Sequence, residues 1–316
     1  MAGSVLERLA VLFGAACLKF VPAARLSDKM RSIEKSLLLG TDRRPLVNAC
    51  LGKDTLQCLD VGARGGVQDI FKPYSDTCRF FLLEGEPTEA ERLKKQGHIV
   101  IDSLIGPVTG QGVLNVTRQP GGSSTLEPAG HIMGFYAGRT DRFDVVQRIP
   151  LPMLSLDDIR AQQGEGFDFD YVKLDTQGSE RDILRTSSSR PFFLETEVSA
   201  AHLYQNQGTV FEIGQLLYER GYLMADLSLR GCRPHPHGAW TKPGERPSLG
   251  IPLHGDARFM ADWTRPAGRE IIARSPQKWA ALMLMFGQHE VARSVAADPE
   301  MGFPSALKAA LGCGHG

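Results

Sequence analysis

The sequence predicts an α/β fold in which parallel strands form a sheet covered by helices on both faces. Three observations carry this. Short strand-like runs recur from Leu56 onward, helical patterns separate several of them, and acidic residues stand at the ends of the first two runs. Strand, helix and strand in repetition require crossover connections, and crossover helices cover a parallel sheet on both sides.

The elements follow in order. Residues 1–50 read as helical, because Val5, Leu9, Leu12 and Ala16 recur at helical spacing, as do Met30, Ile33, Leu37 and Leu38. They are expected to pack as arms on the main domain, with a membrane-surface helix, suggested by Phe13 and Phe20, as the alternative. Strand-like runs fall at 56–61, 79–84, 98–102, 171–175, 192–197 and 222–227, and helical patterns at 88–96, 181–185 and 210–220. An insertion at about 106–155, rich in Gly, Pro and Thr, carries strand-like pieces at 113–117 and 145–152 and predicts a small antiparallel flap. From Arg230 a Pro- and Gly-rich stretch, with His235 and His237, runs to about Pro252 and reads as the longest loop. Past Trp263 the pattern is helical, a short hairpin broken at Gly287. The expected division is an N-terminal helical extension (1–50), an α/β domain (51–262) and a C-terminal helical extension (263–316).

Composition narrows the function classes. Lys and Arg number 36 and so do Asp and Glu, a balance that argues against a dedicated nucleic-acid binder. The longest apolar run near the N-terminus is 9–18, whereas a spanning helix needs roughly 20 apolar residues. Glu7 offsets Arg8 where a signal peptide wants positive charge. The six cysteines (Cys17, Cys50, Cys58, Cys78, Cys232, Cys313) are scattered without a C-x-x-C pair, which fits reduced thiols better than a disulfide framework or a zinc site. These features predict a soluble, cytoplasmic protein.

Four motifs carry chemistry. Residues 58–66, Cys-Leu-Asp-Val-Gly-Ala-Arg-Gly-Gly, are a buried strand ending in an acid and a glycine-rich turn, where backbone can approach a ligand closely. A dinucleotide fingerprint wants Gly at 62, 64 and 67, but Arg64 and Val67 occupy two of these places, and no P-loop is present. Glu84 ends the second run, and an acid there is placed to accept both hydroxyls of a ribose. In Lys173-Leu174-Asp175-Thr176-Gln177-Gly178-Ser179-Glu180 a strand emerges into a charged loop, with Lys173 and Asp175 on one face; the structural alternative is that Asp175 or Ser179 caps the next helix. Glu195 and Glu197 lie two apart on one side of the fifth run, so at least one is expected in the carboxyl-end crevice.

Together Asp60-Val61-Gly62-Ala63, Glu84, Ser123-Ser124-Thr125-Leu126, residues 154–159 and above all residues 173–180 resemble an FkbM-type methyltransferase, in that family's order over about 55–260. The resemblance implies a Rossmann-like class I methyltransferase sheet of about seven strands, S-adenosyl-L-methionine as donor, and O-methylation of a sugar, glycan or natural-product hydroxyl. It also implies that Asp60, Gly62, Ala63, Arg64 and Gly66 hold the methionine end, Glu84 the ribose, and Asp102 and Ser103 the adenine. Arg64 departs from the Asn common in the family's turn. On the acceptor side it implies Asp175, with Lys173 and Glu180; Asp175 is the expected base, with Glu195 and His202 next. A divalent metal between Asp175 and Glu195 is an option that no ligand spacing demands. The competing readings are a nicotinamide-dependent sugar oxidoreductase and a non-catalytic α/β binding module.

Overall fold

The computed structural model describes residues 42–130, 140–232 and 250–313. The helical readings of residues 1–41 and the His235–His237 loop lie outside them.

A short helix, α1 (Arg44–Leu51), leads into β1 (Leu56–Val61), whose Leu56, Cys58, Leu59, Asp60 and Val61 are all buried. The glycine turn after β1 opens into a 3₁₀ turn, Asp69–Tyr74, with Pro73 inside it. Then come β2 (Cys78–Leu83), α2 (Pro87–Lys95) and β3 (Ile99–Ile101). α2 starts where it does because Pro87 occupies its first turn and the Glu86 carboxylate accepts the N–H groups of Thr88 and Glu89.

The insertion forms β4 (Leu104–Gly106), β5 (Gly110–Thr117) and β6 (Val145–Ser155), a separate three-stranded sheet in the order β4-β6-β5. Its β5–β6 pair is antiparallel as expected, but β4 joins β6 in parallel. After α3 (Leu156–Ala161) come β7 (Tyr171–Leu174), α4 (Glu180–Thr186), β8 (Phe193–Ser199), α5 (Val210–Glu219), β9 (Tyr222–Cys232) and β10 (Ile251–Ala261). The main sheet has seven strands in the order β3-β2-β1-β7-β8-β10-β9. The first five are mutually parallel, and β10 runs antiparallel to both β8 and β9. The strand order reverses between β1 and β7, which opens a crevice beyond the carboxyl ends of those two strands.

β10 is the main-sheet strand that the sequence reading did not locate. Its alternate positions are His254, Asp256 and Arg258, so one side of a core strand is charged. Those charges are balanced across the sheet. Asp60, Lys173, Glu195, Arg258 and Asp226 are successive register partners on β1, β7, β8, β10 and β9, a row of alternating sign. Lys173 Nζ lies 3.2 Å from Asp60 Oδ1, and Arg258 lies 2.9 Å from Glu195 and 3.5 Å from Asp226. A one-residue slip of any of these strands would bury charges without partners, so the row specifies register as well as neutralising itself.

The C-terminal helices are α6 (Pro266–Ala273), α7 (Pro276–Met285), α8 (His289–Ala297) and α9 (Ser305–Ala310). From Trp279 to Met285 α7 is apolar all round and buried, and it packs on α1. Phe286 stacks flat on Phe193 of β8 at 4.1 Å between ring centres and faces Tyr171 of β7 at 5.6 Å. One continuous buried cluster therefore runs from Val47 through the sheet to Leu311. No helix among the described residues is long and apolar enough to cross a membrane.

Candidate active site

A cavity of about 340 Å³ opens at the reversal of strand order, lined by the ends of β1, β2 and β7, by Ser103–Ile105 beyond β3, and by the flap. Its floor is set by Gly62, at φ +71°, whose N–H donates to Leu83 carbonyl at 3.0 Å. A Cβ built on Gly62 would stand well inside van der Waals contact distance of the Asp175 carbonyl oxygen, so only glycine fits between β1 and the 175–180 loop. Gly65 and Gly66 also have positive φ, and the Gly65 N–H is held by Glu89 at 3.0 Å.

Glu84 lines the cavity immediately after β2. Its Oε1 accepts the Glu86 N–H at 2.9 Å, and burial raises its pKa, partly offset by that bond and by the charge of Arg64. Arg64 and Ser103 line the same cavity. The wall opposite is apolar: Leu104 and Ile105 from β4, Leu114 and Val116 from β5. Asp102 stays outside, exposed and paired with Lys94 at 3.0 Å. Ala63 is buried against Leu82 and Leu93, and Gly66 faces Leu93 and His98; neither lines the cavity.

The acceptor-side residues divide more sharply. Lys173 and Asp175 line the cavity, with Thr176 and Gln177. Lys173 Nζ sits between Asp60 (3.2 Å) and Asp175 (3.6 Å). Burial works against its charge, but the two carboxylates outweigh burial and raise its pKa. Burial also pushes the Asp60 carboxyl up to about 6, with Lys173 offsetting only part. Asp60 thus acts beneath the cavity, through Lys173. Glu195 lies one strand over in the charge row, bound to Arg258 and away from the cavity, and His202 is exposed in the loop after β8.

Glu180, expected on the acceptor side, turns into its own loop instead. Its carboxylate accepts Thr176 N–H (2.7 Å), Thr176 hydroxyl (2.9 Å) and Gly178 N–H (2.9 Å), and burial lifts its pKa despite those bonds. The loop it ties presents Gln177 at φ +58°, a conformation that costs a non-glycine residue about 1–2 kcal/mol. The flap holds it from the other side. Ser124 hydroxyl donates to the Gln177 carbonyl at 2.8 Å, and the Thr125 and Ser179 hydroxyls meet at 2.8 Å. The helix cap considered from sequence is absent: Ser179 occupies the N-cap of α4 without a side-chain capping bond.

The sequence reading did not assign Gln177 a role, and it ranked Glu195 above Glu197. Gln177 Nε2 donates to Asp175 Oδ1 at 2.8 Å and also to Glu197 Oε2, joining the two acids through one amide. Burial, followed by the nearby Asp175 charge, raises the Glu197 pKa well above the carboxylate range. Glu195 is the register partner of Lys173, so Glu197, two residues nearer the carboxyl end, is level with Asp175. The rule that ligands bind at carboxyl ends already contained that signal; nothing in the sequence marked Gln177 itself.

Among the described residues no group of three or more His, Cys, Asp or Glu side chains is arranged to hold a metal ion. Cys50, Cys58, Cys78, Cys232 and Cys313 are free thiols, and burial raises Cys58 well above its ordinary pKa.

Three similar solved structures are distant in sequence. A precorrin-6y C5,15-methyltransferase from Geobacter metallireducens is 15% identical, with 70% of this chain and 86% of that chain covered and a TM-score of 0.31. Magnesium protoporphyrin IX methyltransferase from Synechocystis PCC 6803 is 11% identical, covers 74% and 80%, and scores 0.32. The N-methyltransferase NodS from Bradyrhizobium japonicum is 11% identical, covers 70% and 94%, and scores 0.30. No curated protein sequence matches the chain. The methyltransferase FkbM domain model matches residues 60–224, more than half of the 316, a span that runs from the end of β1 into β9 and includes every residue lining the cavity: this chain belongs to the FkbM methyltransferase family.

Proposed function

We propose that the chain is an S-adenosylmethionine-dependent O-methyltransferase acting in the cytoplasm on a hydroxyl of a sugar, glycan or glycosylated small molecule. The observation that carries this reading is that Glu84 and Asp175 open onto one cavity on either side of Gly62. A volume of 340 Å³ falls in the range of small-ligand sites, and its walls are polar on one side and apolar on the other. The donor fits those walls in kind. Gly62 and the turn after it would hold the methionine end, Glu84 the ribose hydroxyls, and Ser103, Leu104 and Ile105 the adenine.

Bound there, the donor supplies an electrophilic sulfonium methyl. The chain's own part is to align an acceptor oxygen and to take its proton. Asp175 is suited to the second task, since it lines the cavity and is oriented from below by Lys173. Thr176, Gln177, Ser123 and Thr125 offer the polar surface a polyhydroxyl acceptor requires. The nicotinamide alternative has no support in the family match. Calorimetry should find binding of S-adenosylhomocysteine and none of NAD. Labelled methyl should pass from the donor into a glycan fraction rather than into lipid or RNA fractions. Absence of S-adenosylhomocysteine binding would overturn the reading, and labelling of another fraction alone would replace its acceptor.

A further inference from the structure

Asp175 and Glu197 face each other across the carboxyl edge of β7 and β8, and the Gln177 amide donates to both. Their surroundings are unequal. Lys173 stands 3.6 Å from Asp175 and also holds Asp60. Among the described residues, Arg258 is engaged by Glu195 and Asp226, and Arg230 by Asp256. Glu197 instead feels the charges of three acids: Asp175, Glu180 of α4, and Asp256, its register partner on β10. Among the described residues the basic group beside it is His254, with Nδ1 3.8 Å from Oε1. Two neighbouring carboxyls in partly buried surroundings do not both ionise readily, and the one facing a cation ionises first.

We propose that Asp175 and Glu197 form an unequal carboxyl pair clamped by Gln177, in which Glu197 keeps a proton and Asp175 is the ionised member that receives the acceptor's hydroxyl proton. This rests on the methyl-transfer reading for the direction of proton flow. As the oxygen–methyl bond forms and the methyl–sulfur bond breaks, the hydroxyl proton passes to an Asp175 oxygen, and the sulfonium and carboxylate charges disappear together. Glu197 is then a positioning residue. Its neutral carboxyl sets the charge and orientation of Asp175 through the amide, which is itself fixed by Ser124 on the Gln177 carbonyl and by Tyr204, whose hydroxyl lies 3.3 Å from Gln177 Oε1. The left-handed backbone at Gln177 is the geometry that lets one side chain reach both acids.

The test is an infrared difference spectrum at pH 7 between the wild-type chain and Glu197→Gln, with S-adenosylhomocysteine affinity measured on both. Glutamine copies a protonated glutamate, so the expected result is loss of one protonated-carboxyl band and a dissociation constant within about twofold of wild type. A difference spectrum showing loss of a carboxylate band instead means that Glu197 is ionised, and overturns the proposal. His254→Gln provides an independent check that leaves the pair intact. If Glu197 is neutral, this variant leaves the carboxyl bands unchanged; if Glu197 is ion-paired with a protonated His254, a new protonated-carboxyl band appears and the proposal falls. Failure of S-adenosylhomocysteine to bind either protein would refute the donor reading while leaving the carboxyl assignment to the spectra.

Discussion

The backbone carbonyl of Asp175 occupies the space where a side chain on residue 62 would stand. The turn assigned to the donor and the loop assigned to the acceptor are therefore in direct contact, backbone to backbone. Neither can shift without the other, and a cavity built this way fixes the distance between its two halves before any ligand arrives, which lowers the cost of aligning them.

Gly62→Ala should be disruptive out of proportion to its size. The substitution adds a left-handed alanine, about 1–2 kcal/mol, and a collision with backbone that cannot rotate away. Gly65→Ala is the matched control: φ is +92° but nothing lies within 4 Å of its added carbon. Calorimetry and thermal melts should show Gly62→Ala losing most S-adenosylhomocysteine affinity and several degrees of Tm, with Gly65→Ala affected far less. Equal behaviour of the two would mean that the contact with Asp175 does not matter.

Glu84→Ala should weaken S-adenosylhomocysteine by about 1.5–3 kcal/mol, the range for hydrogen bonds to a charged group. The helix that follows keeps its own cap, because Glu86 serves Thr88 and Glu89. The melting temperature should accordingly fall little compared with affinity. An unchanged dissociation constant would remove Glu84 from the site.

Much of this was legible in the chain, and what was not has physical causes. The runs at 56–61, 79–84 and 171–175 were readable because a parallel strand buried on both faces is nearly continuous in apolar residues, and Phe81, Leu82 and Leu83 have no polar interruption. β10 was hidden because His254, Asp256 and Arg258 give it the look of a loop, and only their partners on the neighbouring strands, Glu197 and Glu195 on β8 and Arg230 and Asp226 on β9, explain them. Glu84 just past β2, Lys173 of β7 and Asp175 just past it could be placed on the cavity from strand direction alone. Glu180 and Gln177 could not, since one loop holds both and only hydrogen bonds made in three dimensions decide which turns inward. Asp102 lies just past the end of a three-residue strand, where a one-residue shift decides whether it or Ser103 faces the ligand.

Asp60 sets a pH dependence of stability. Its folded pKa of about 6 lies above the ordinary 3.8, so the folded chain holds this proton where the unfolded chain has released it. Its contribution to stability is therefore complete below about pH 4 and is lost as pH rises through about 6. Asp60→Asn has no such proton to lose. The difference in Tm between wild type and Asp60→Asn should fall across pH 4 to 7, to the disadvantage of the wild type. A difference that rises with pH would show that the ion pair with Lys173 outweighs the burial of Asp60.

Asp175→Asn tests the base. A carboxylate is far too weak a base to deprotonate a free alcohol, so it acts as the methyl transfers and the oxygen becomes acidic. Removing a general base costs about 10²–10⁴-fold in rate. Asparagine keeps an oxygen for the Gln177 amide and nearly the same volume, and the Gly62 contact is made by backbone, so fold and donor affinity should be retained. The expected signature is turnover lower by 10²–10⁴-fold with S-adenosylhomocysteine binding unchanged. Lys173 does not confuse the result, because Asp60 still holds it at 3.2 Å. Near-normal turnover would pass the proton to another group, and Glu197, joined to the same amide, is the first to test. Loss of donor binding would instead move Asp175 into the cofactor half of the cavity.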